Sequence, residues 1–143
     1  MQYTAVIRTL GTAGAKYQTL LDSLVSQTIP PEEILVYMAE GYQIPSETVG
    51  KEKYIFVKKG MVAQRALRYD EVKTEYILFL DDDLYFPPDA VEKMFSLLGR
   101  YGADVISPDV FHNSERPFKQ RFMMAASGRM RARYNDRHWG YKV

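Results

Sequence analysis

An α/β domain, with helices on both faces of a mostly parallel sheet, is the fold class that this sequence predicts. Short runs of β-branched and aromatic residues alternate with stretches whose apolar residues recur at helical spacing. The longest apolar runs, Ile34 to Ala39 and Tyr76 to Leu80, have the length of buried strands. A chain of 143 residues, 46% apolar and 26% charged, matches one globular domain, which at that size buries roughly two-thirds of its unfolded surface.

Taken in order, Tyr3 to Thr9 is rich in β-branched and aromatic residues and runs into the glycine-bearing loop Leu10 to Gly14, so it reads as a buried strand. Tyr17, Leu20, Leu21, Leu24 and Val25 then form one helical stripe, which Pro30-Pro31 stops. Glu33 to Tyr37 is a second strand that completes a βαβ unit. Gly41 to Lys53 reads as a polar loop and Tyr54 to Val57 as a brief third strand. After Gly60, Val62, Ala66 and Tyr69 share a helical face, which predicts a helix reaching toward Glu75. Tyr76 to Leu80 is the most continuous apolar strand and is expected at the sheet's centre. Pro87-Pro88-Asp89 suits a helix start, and Val91, Met94, Phe95 and Leu98 repeat at i, i+3, i+4 and i+7. Ala103 to Ser107 is expected to be a fifth strand.

Composition removes several classes of function. With no cysteine there is no disulfide framework and no thiolate metal site, so any metal is bound by oxygen or histidine. No run approaches the ~18 apolar residues of a membrane span. Met1-Gln2-Tyr3-Thr4 does not open a secretory signal, and a cytoplasmic location is the expectation.

Asp81, Asp82 and Asp83 carry the chemistry. In an open α/β sheet, ligands bind beyond the carboxyl ends of the strands, where this cluster falls. On an extended backbone Asp81 and Asp83 share one side and Asp82 faces away, an arrangement that suits a hard divalent cation, Mn²⁺ or Mg²⁺. A solvated turn ahead of a helix is the plainer reading. It leaves three adjacent carboxylates repelling one another, which a helix dipole worth a few tenths of a kcal/mol hardly offsets. An EF-hand starting at Asp81 fails because Phe86 stands where glycine is required. A phosphatase of the haloacid dehalogenase type, with Asp81 as nucleophile and Asp83 as acid, usually opens its chain with this motif; here only 60 residues follow Asp83.

Taken together, Tyr3 to Thr9, Leu21-Asp22-Ser23-Leu24-Val25-Ser26-Gln27-Thr28, Pro31 to Val36, Tyr76 to Asp83 and Pro88 to Met94 resemble, in order, the N-terminal half of a GT-A glycosyltransferase of family 2. The resemblance implies a Rossmann-like nucleotide-sugar-binding domain over residues 1–110, followed by an extension over residues 111–143. It implies metal-dependent transfer of a sugar from a nucleoside-diphosphate sugar to a saccharide or lipid-linked acceptor, with inversion, in polysaccharide biosynthesis. By the same resemblance Thr9 lines the nucleotide pocket, Arg65 matches the arginine ahead of the metal strand, Asp82 faces the nucleoside, Asp83 holds the metal and Asp81 assists.

The sequence also departs from that pattern. Met38-Ala39-Glu40-Gly41 stands where Asp-Asp-Gly-Ser is common, leaving Glu40 to take over the contact with the base. Leu10-Gly11 replaces Tyr-Asn, and Gln64-Arg65-Ala66 replaces Ala-Arg-Asn. The catalytic base is not identified; His112, Glu115 and Asp136 are the nearby candidates. A non-catalytic nucleotide-sugar-binding module is the alternative from another class.

Charge is unevenly placed. Residues 1–114 hold 11 Lys+Arg and 16 Asp+Glu, a net −5, whereas residues 115–143 hold 8 and 2, a net +6. The basic stretch interleaves Arg116, Lys119, Arg121 and Arg129 with Phe118 and Phe122, and continues to Trp139 and Tyr141. An acidic body opposes approach to nucleic acid. Peripheral contact with an anionic membrane face fits better, at about 1 kcal/mol per basic residue near the surface; packing within a larger enzyme or plain disorder is the other reading. Co-sedimentation checks it: the chain is expected to bind anionic vesicles more than neutral ones at low salt, and truncation after Asp109 to abolish the difference. Equal binding to both contradicts the membrane reading.

Overall fold

A computed structural model of the chain describes residues 1–60, 62–64 and 66–108. Four strands, β1 (Tyr3–Thr9), β2 (Glu33–Ala39), β3 (Glu52–Val57) and β4 (Tyr76–Asp81), form a sheet of order β3-β2-β1-β4 in which every pairing is parallel. Two helices, α1 (Ala15–Val25) and α2 (Ala90–Tyr101), complete the regular elements among the described residues. Met1–Phe95 form one compact unit, and the described residues from Ser96 belong to a second.

The order of the strands positions everything that follows. From β1 the chain moves through α1 to β2 and then β3 on one side; it then returns to place β4 on the other side of β1. The connections therefore diverge at the carboxyl ends of β1 and β4, which opens a crevice there.

Side chains alternate between the two faces, and paired residues of parallel strands share a face. Tyr3, Ala5, Ile7 and Thr9 look toward the helices. The Tyr17 hydroxyl of α1 meets the Tyr54 hydroxyl of β3 at 3.2 Å, and Phe95 of α2 packs edge-on against Tyr3 and Tyr76 at 5.9 and 5.2 Å. On the opposite face Val6, Leu35 and Tyr37 form a buried cluster, covered by Leu67, Tyr69 and Val72. Tyr69 stands edge-on between Tyr37 and Phe79, at 5.2 and 5.0 Å.

The α/β class, both helical stripes and the first two strands agree with the sequence reading; β2 extends to Ala39, and β3 starts at Glu52. Three expectations are corrected. The helix after Gly60 does not form among the described residues. Amides of Gln64 and Ala66 bond to Gly60 and Val62 in isolated turns, and Tyr69 takes a left-handed backbone at φ 54°. The residues that pack are Leu67, Tyr69 and Val72, at spacings of two and three, while Val62 is 78% exposed, so burial selects an irregular drape over the sheet. Ala103 to Ser107 pairs with no described strand: Gly102 ends α2 at φ 60°, the Ala103 amide bonds the Leu98 carbonyl, and Val105 is exposed. Finally β4 is an edge of the described sheet, with Ile77 and Phe79 partly exposed, and β1 and β2 hold the centre.

Gln27 braces the start of α2 against the end of α1. Buried just past α1, its amide nitrogen donates to the carbonyls of Ser23 and Pro87 at 2.9 and 2.8 Å, and its carbonyl oxygen accepts from the Val91 amide at 3.1 Å. Orphaning buried backbone groups costs about 1–3 kcal/mol each. Gln27→Leu orphans the Val91 amide, while the Pro87 and Ser23 carbonyls still accept from Ala90 and Ser26, and is expected to lower the unfolding free energy by about 1–3 kcal/mol in urea titration with an unchanged m-value. A loss within about 0.5 kcal/mol, typical of neutral surface changes, contradicts the brace.

Candidate functional site

The site starts from the register of two strands. β1 and β4 pair so that Arg8 lies directly opposite Asp81. Paired residues share a face, and the Arg8 guanidinium donates to Asp81 Oδ1 at 3.0 Å. One residue further, Thr9 is buried and its hydroxyl donates to Asp82 Oδ2 at 2.5 Å while accepting from the Gly11 amide at 2.7 Å. The ends of both strands are therefore joined by one ion pair and one hydroxyl–carboxylate bond.

Around this junction lies a cavity of about 390 Å³ whose polar lining includes Arg8, Thr9, Lys59, Gln64, Asp81 and Asp82. Gln64 donates from its side chain to the Thr9 carbonyl at 3.3 Å, tying the loop after β3 to the end of β1. Lys59 is oriented by Tyr42: its Nζ donates to the phenol oxygen at 2.5 Å and lies 4.8 Å from the ring centroid. Among the described residues it has no carboxylate partner. Near the junction, the Tyr17 hydroxyl is held well above the usual tyrosine range, first by burial, then by its bond to Tyr54, with Glu52 and Asp82 adding smaller contributions. It stays a neutral phenol.

Thr9, Asp81 and Asp82, expected from the sequence, meet at this cavity. The strand ends at Asp81, opposite Arg8, and Asp82, bonded to Thr9, lies with Asp83 in the turn that follows. Asp81 and Asp82 line the cavity together, and Asp83 is not part of its lining. Glu40 is exposed at the end of β2, where its amide bonds the Val57 carbonyl, and it too is outside the lining. Arg65, His112, Glu115, Asp136 and the basic stretch from residue 115 lie outside the described residues. The sequence alone does not single out Arg8, Lys59 or Gln64 as site residues. A charge inside an otherwise apolar strand was the available signal for Arg8; for Lys59 and Gln64, only the fold of the loop after β3 brings them in.

Among the described residues no three His, Cys, Asp or Glu side chains are gathered around one point for a metal ion. The donor chemistry at the junction nonetheless suits a hard divalent cation: Asp81 and Asp82 bring carboxylate oxygens to one cavity, with Asp83 next in the chain. No described helix is long and apolar enough to cross a membrane.

The family model described as Glycosyl transferase family 2 matches residues 42–142. No curated protein matches the chain. Among solved structures, S. aureus TarS is similar at 16% identity and a TM-score of 0.56, over 82% of this chain and 23% of that one. TarS 1-349 in complex with UDP-GlcNAc is similar at 18% identity and a TM-score of 0.55, over 82% of this chain and 37% of that one. The likeness is one of fold, and this chain spans well under half the length of these structures.

Gly11 holds the junction together. At φ 75° it occupies a conformation that favours glycine, and a Cβ there would stand 2.7 Å from both the Gln43 carbonyl oxygen and Met38 Cε. Left-handed strain of about 1–2 kcal/mol and overpacking of about 1–3 kcal/mol add up. Gly11→Ala is expected to destabilise the protein by about 2–5 kcal/mol in urea unfolding. Wild-type stability in that variant contradicts the close packing.

Proposed function

The chain belongs to glycosyl transferase family 2, and from that membership we propose that the cavity at the ends of β1 and β4 binds the diphosphate of a nucleoside-diphosphate sugar for transfer to a saccharide or lipid-linked acceptor. The single observation behind this reading is the meeting of two cations, Arg8 and Lys59, with Asp81 and Asp82 in one cavity at the point where the sheet's connections diverge. The UDP and UDP-GlcNAc complexes of TarS favour a uridine diphosphate donor.

Sugar transfer breaks the bond from the anomeric carbon to the diphosphate, so negative charge grows on the leaving oxygens. Positive groups placed at those oxygens lower that barrier. Arg8 and Lys59 supply two such groups on β1 and the loop after β3. Thr9 and Gln64 hold the floor of the cavity in place, and Asp82 is oriented by the Thr9 hydroxyl. A divalent cation held by Asp81 and Asp83, with Asp82 toward the nucleoside, would add charge neutralisation at the same oxygens. Transfer with inversion at the anomeric carbon is what the family resemblance implies.

The replacement of two acids by Met38-Ala39 favours a second reading, a module that binds donor without turnover. Calorimetric titration with UDP-, GDP- and dTDP-sugars, with and without Mn²⁺, tests the donor site. The expected result is strongest binding of a UDP-sugar in Mn²⁺, weakened roughly tenfold or more by Asp83→Ala, the scale of a lost charged contact. Binding that ignores both metal and Asp83 contradicts the metal assignment. Transfer or hydrolysis of that donor above the rate with metal alone excludes the binding-only module.

A further inference from the structure

Of the cations that line the cavity among the described residues, Arg8 is engaged by a carboxylate. It sits opposite Asp81 in the β1–β4 register, its guanidinium contacts Asp81 Oδ1 at 3.0 Å, and its side chain is 19% exposed. Its Nε is buried with no hydrogen-bond partner among the described residues, although a guanidinium carries five donors that seek acceptors. The present pose thus satisfies Asp81 better than it satisfies Arg8. Lys59, aimed by Tyr42, shares the same cavity and has no carboxylate partner among the described residues.

Resting on the donor-site reading above, we propose that Arg8 is an exchangeable counter-ion. It neutralises Asp81 when no diphosphate is bound, and it moves to a phosphate oxygen when one arrives, releasing the Asp81 carboxylate to a divalent cation. The driving force is electrostatic. A dication beside Asp81 repels the guanidinium, while a diphosphate carrying about two negative charges attracts it and accepts the fork of donors that one carboxylate leaves partly unused. Lys59 marks the other side of the phosphate path. No bond is made or broken; one ion pair is traded for two.

The trade predicts opposite effects of one substitution, which distinguishes it from loss of structure. Arg8→Gln removes the competitor for Asp81 and the ligand for phosphate. It is expected to bind Mn²⁺ alone more tightly than wild type and UDP in metal-free buffer more weakly, each by at least about fivefold, the lower range of such couplings. Manganese paramagnetic resonance reads the first and calorimetry the second. Arg8→Lys, which keeps the charge, should restore much of both. If Arg8→Gln fails to fold by circular dichroism, Asp81→Asn gives the complementary result: Arg8 is released, UDP binds more tightly without metal, and Mn²⁺ binding falls. A rise in Mn²⁺ affinity without a loss of UDP affinity, the reverse, or no change in either overturns the exchange. Wild-type protein that binds no UDP with or without Mn²⁺ overturns the donor reading itself; wild-type binding that both variants leave untouched overturns the exchange alone.

Discussion

Everything at the candidate site depends on the parallel register of β1 with β4. Pairing Ile7 with Leu80 and Arg8 with Asp81 sets which side chains can meet at the strand ends. A slip of one residue would turn Arg8 toward the helices and Thr9 toward the irregular segment, because side chains alternate with period two. The register is fixed by burial. Ala5, Val6, Ile7 and Leu80 are almost fully enclosed, and Tyr3 and Tyr76 pack on the same ring of Phe95. Apolar packing deep in the sheet thereby sets the geometry of charged groups at its edge.

The two faces of the sheet do different work for that geometry. The helical face anchors the register through Tyr3, Tyr17 and Phe95. The other face is covered by the segment after β3, whose left-handed turn at Tyr69 seats an aromatic ring between Tyr37 and Phe79. The same segment begins with Lys59 and Gln64, so its packing further along also fixes how they enter the cavity. A regular helix here would place its apolar stripe differently.

Much of this was legible in the sequence, for identifiable reasons. α1 and α2 announce themselves through stripes at i, i+3, i+4 and i+7, and β1 and β2 through β-branched runs, all of which are local signals. Asp81 and Asp82 were legible because they follow an apolar run at a strand end, and Thr9 through the family resemblance. The irregular segment was not, since Val62, Ala66 and Tyr69 mimic a helical face while the packing contacts that decide the matter come from Tyr37 and Phe79, far away in sequence. β4 looked central because its apolar run is unbroken, yet the order of strands is a long-range property. Arg8 escaped notice for a similar reason: its partner is 73 residues away, and only the register joins them.

That the strand-end junction is the donor site is the central claim, and amide chemical-shift mapping on the ¹⁵N-labelled chain tests it most directly. Addition of UDP-GlcNAc with Mn²⁺ or Mg²⁺ should move the amides of Thr9, Gly11, Gln64 and Asp82 together, in a single saturating titration, with Mg²⁺ used where manganese broadening hides the signals. Shifts confined to the far ends of the strands, near Tyr3 and Tyr76, or no saturating shift anywhere, would contradict it.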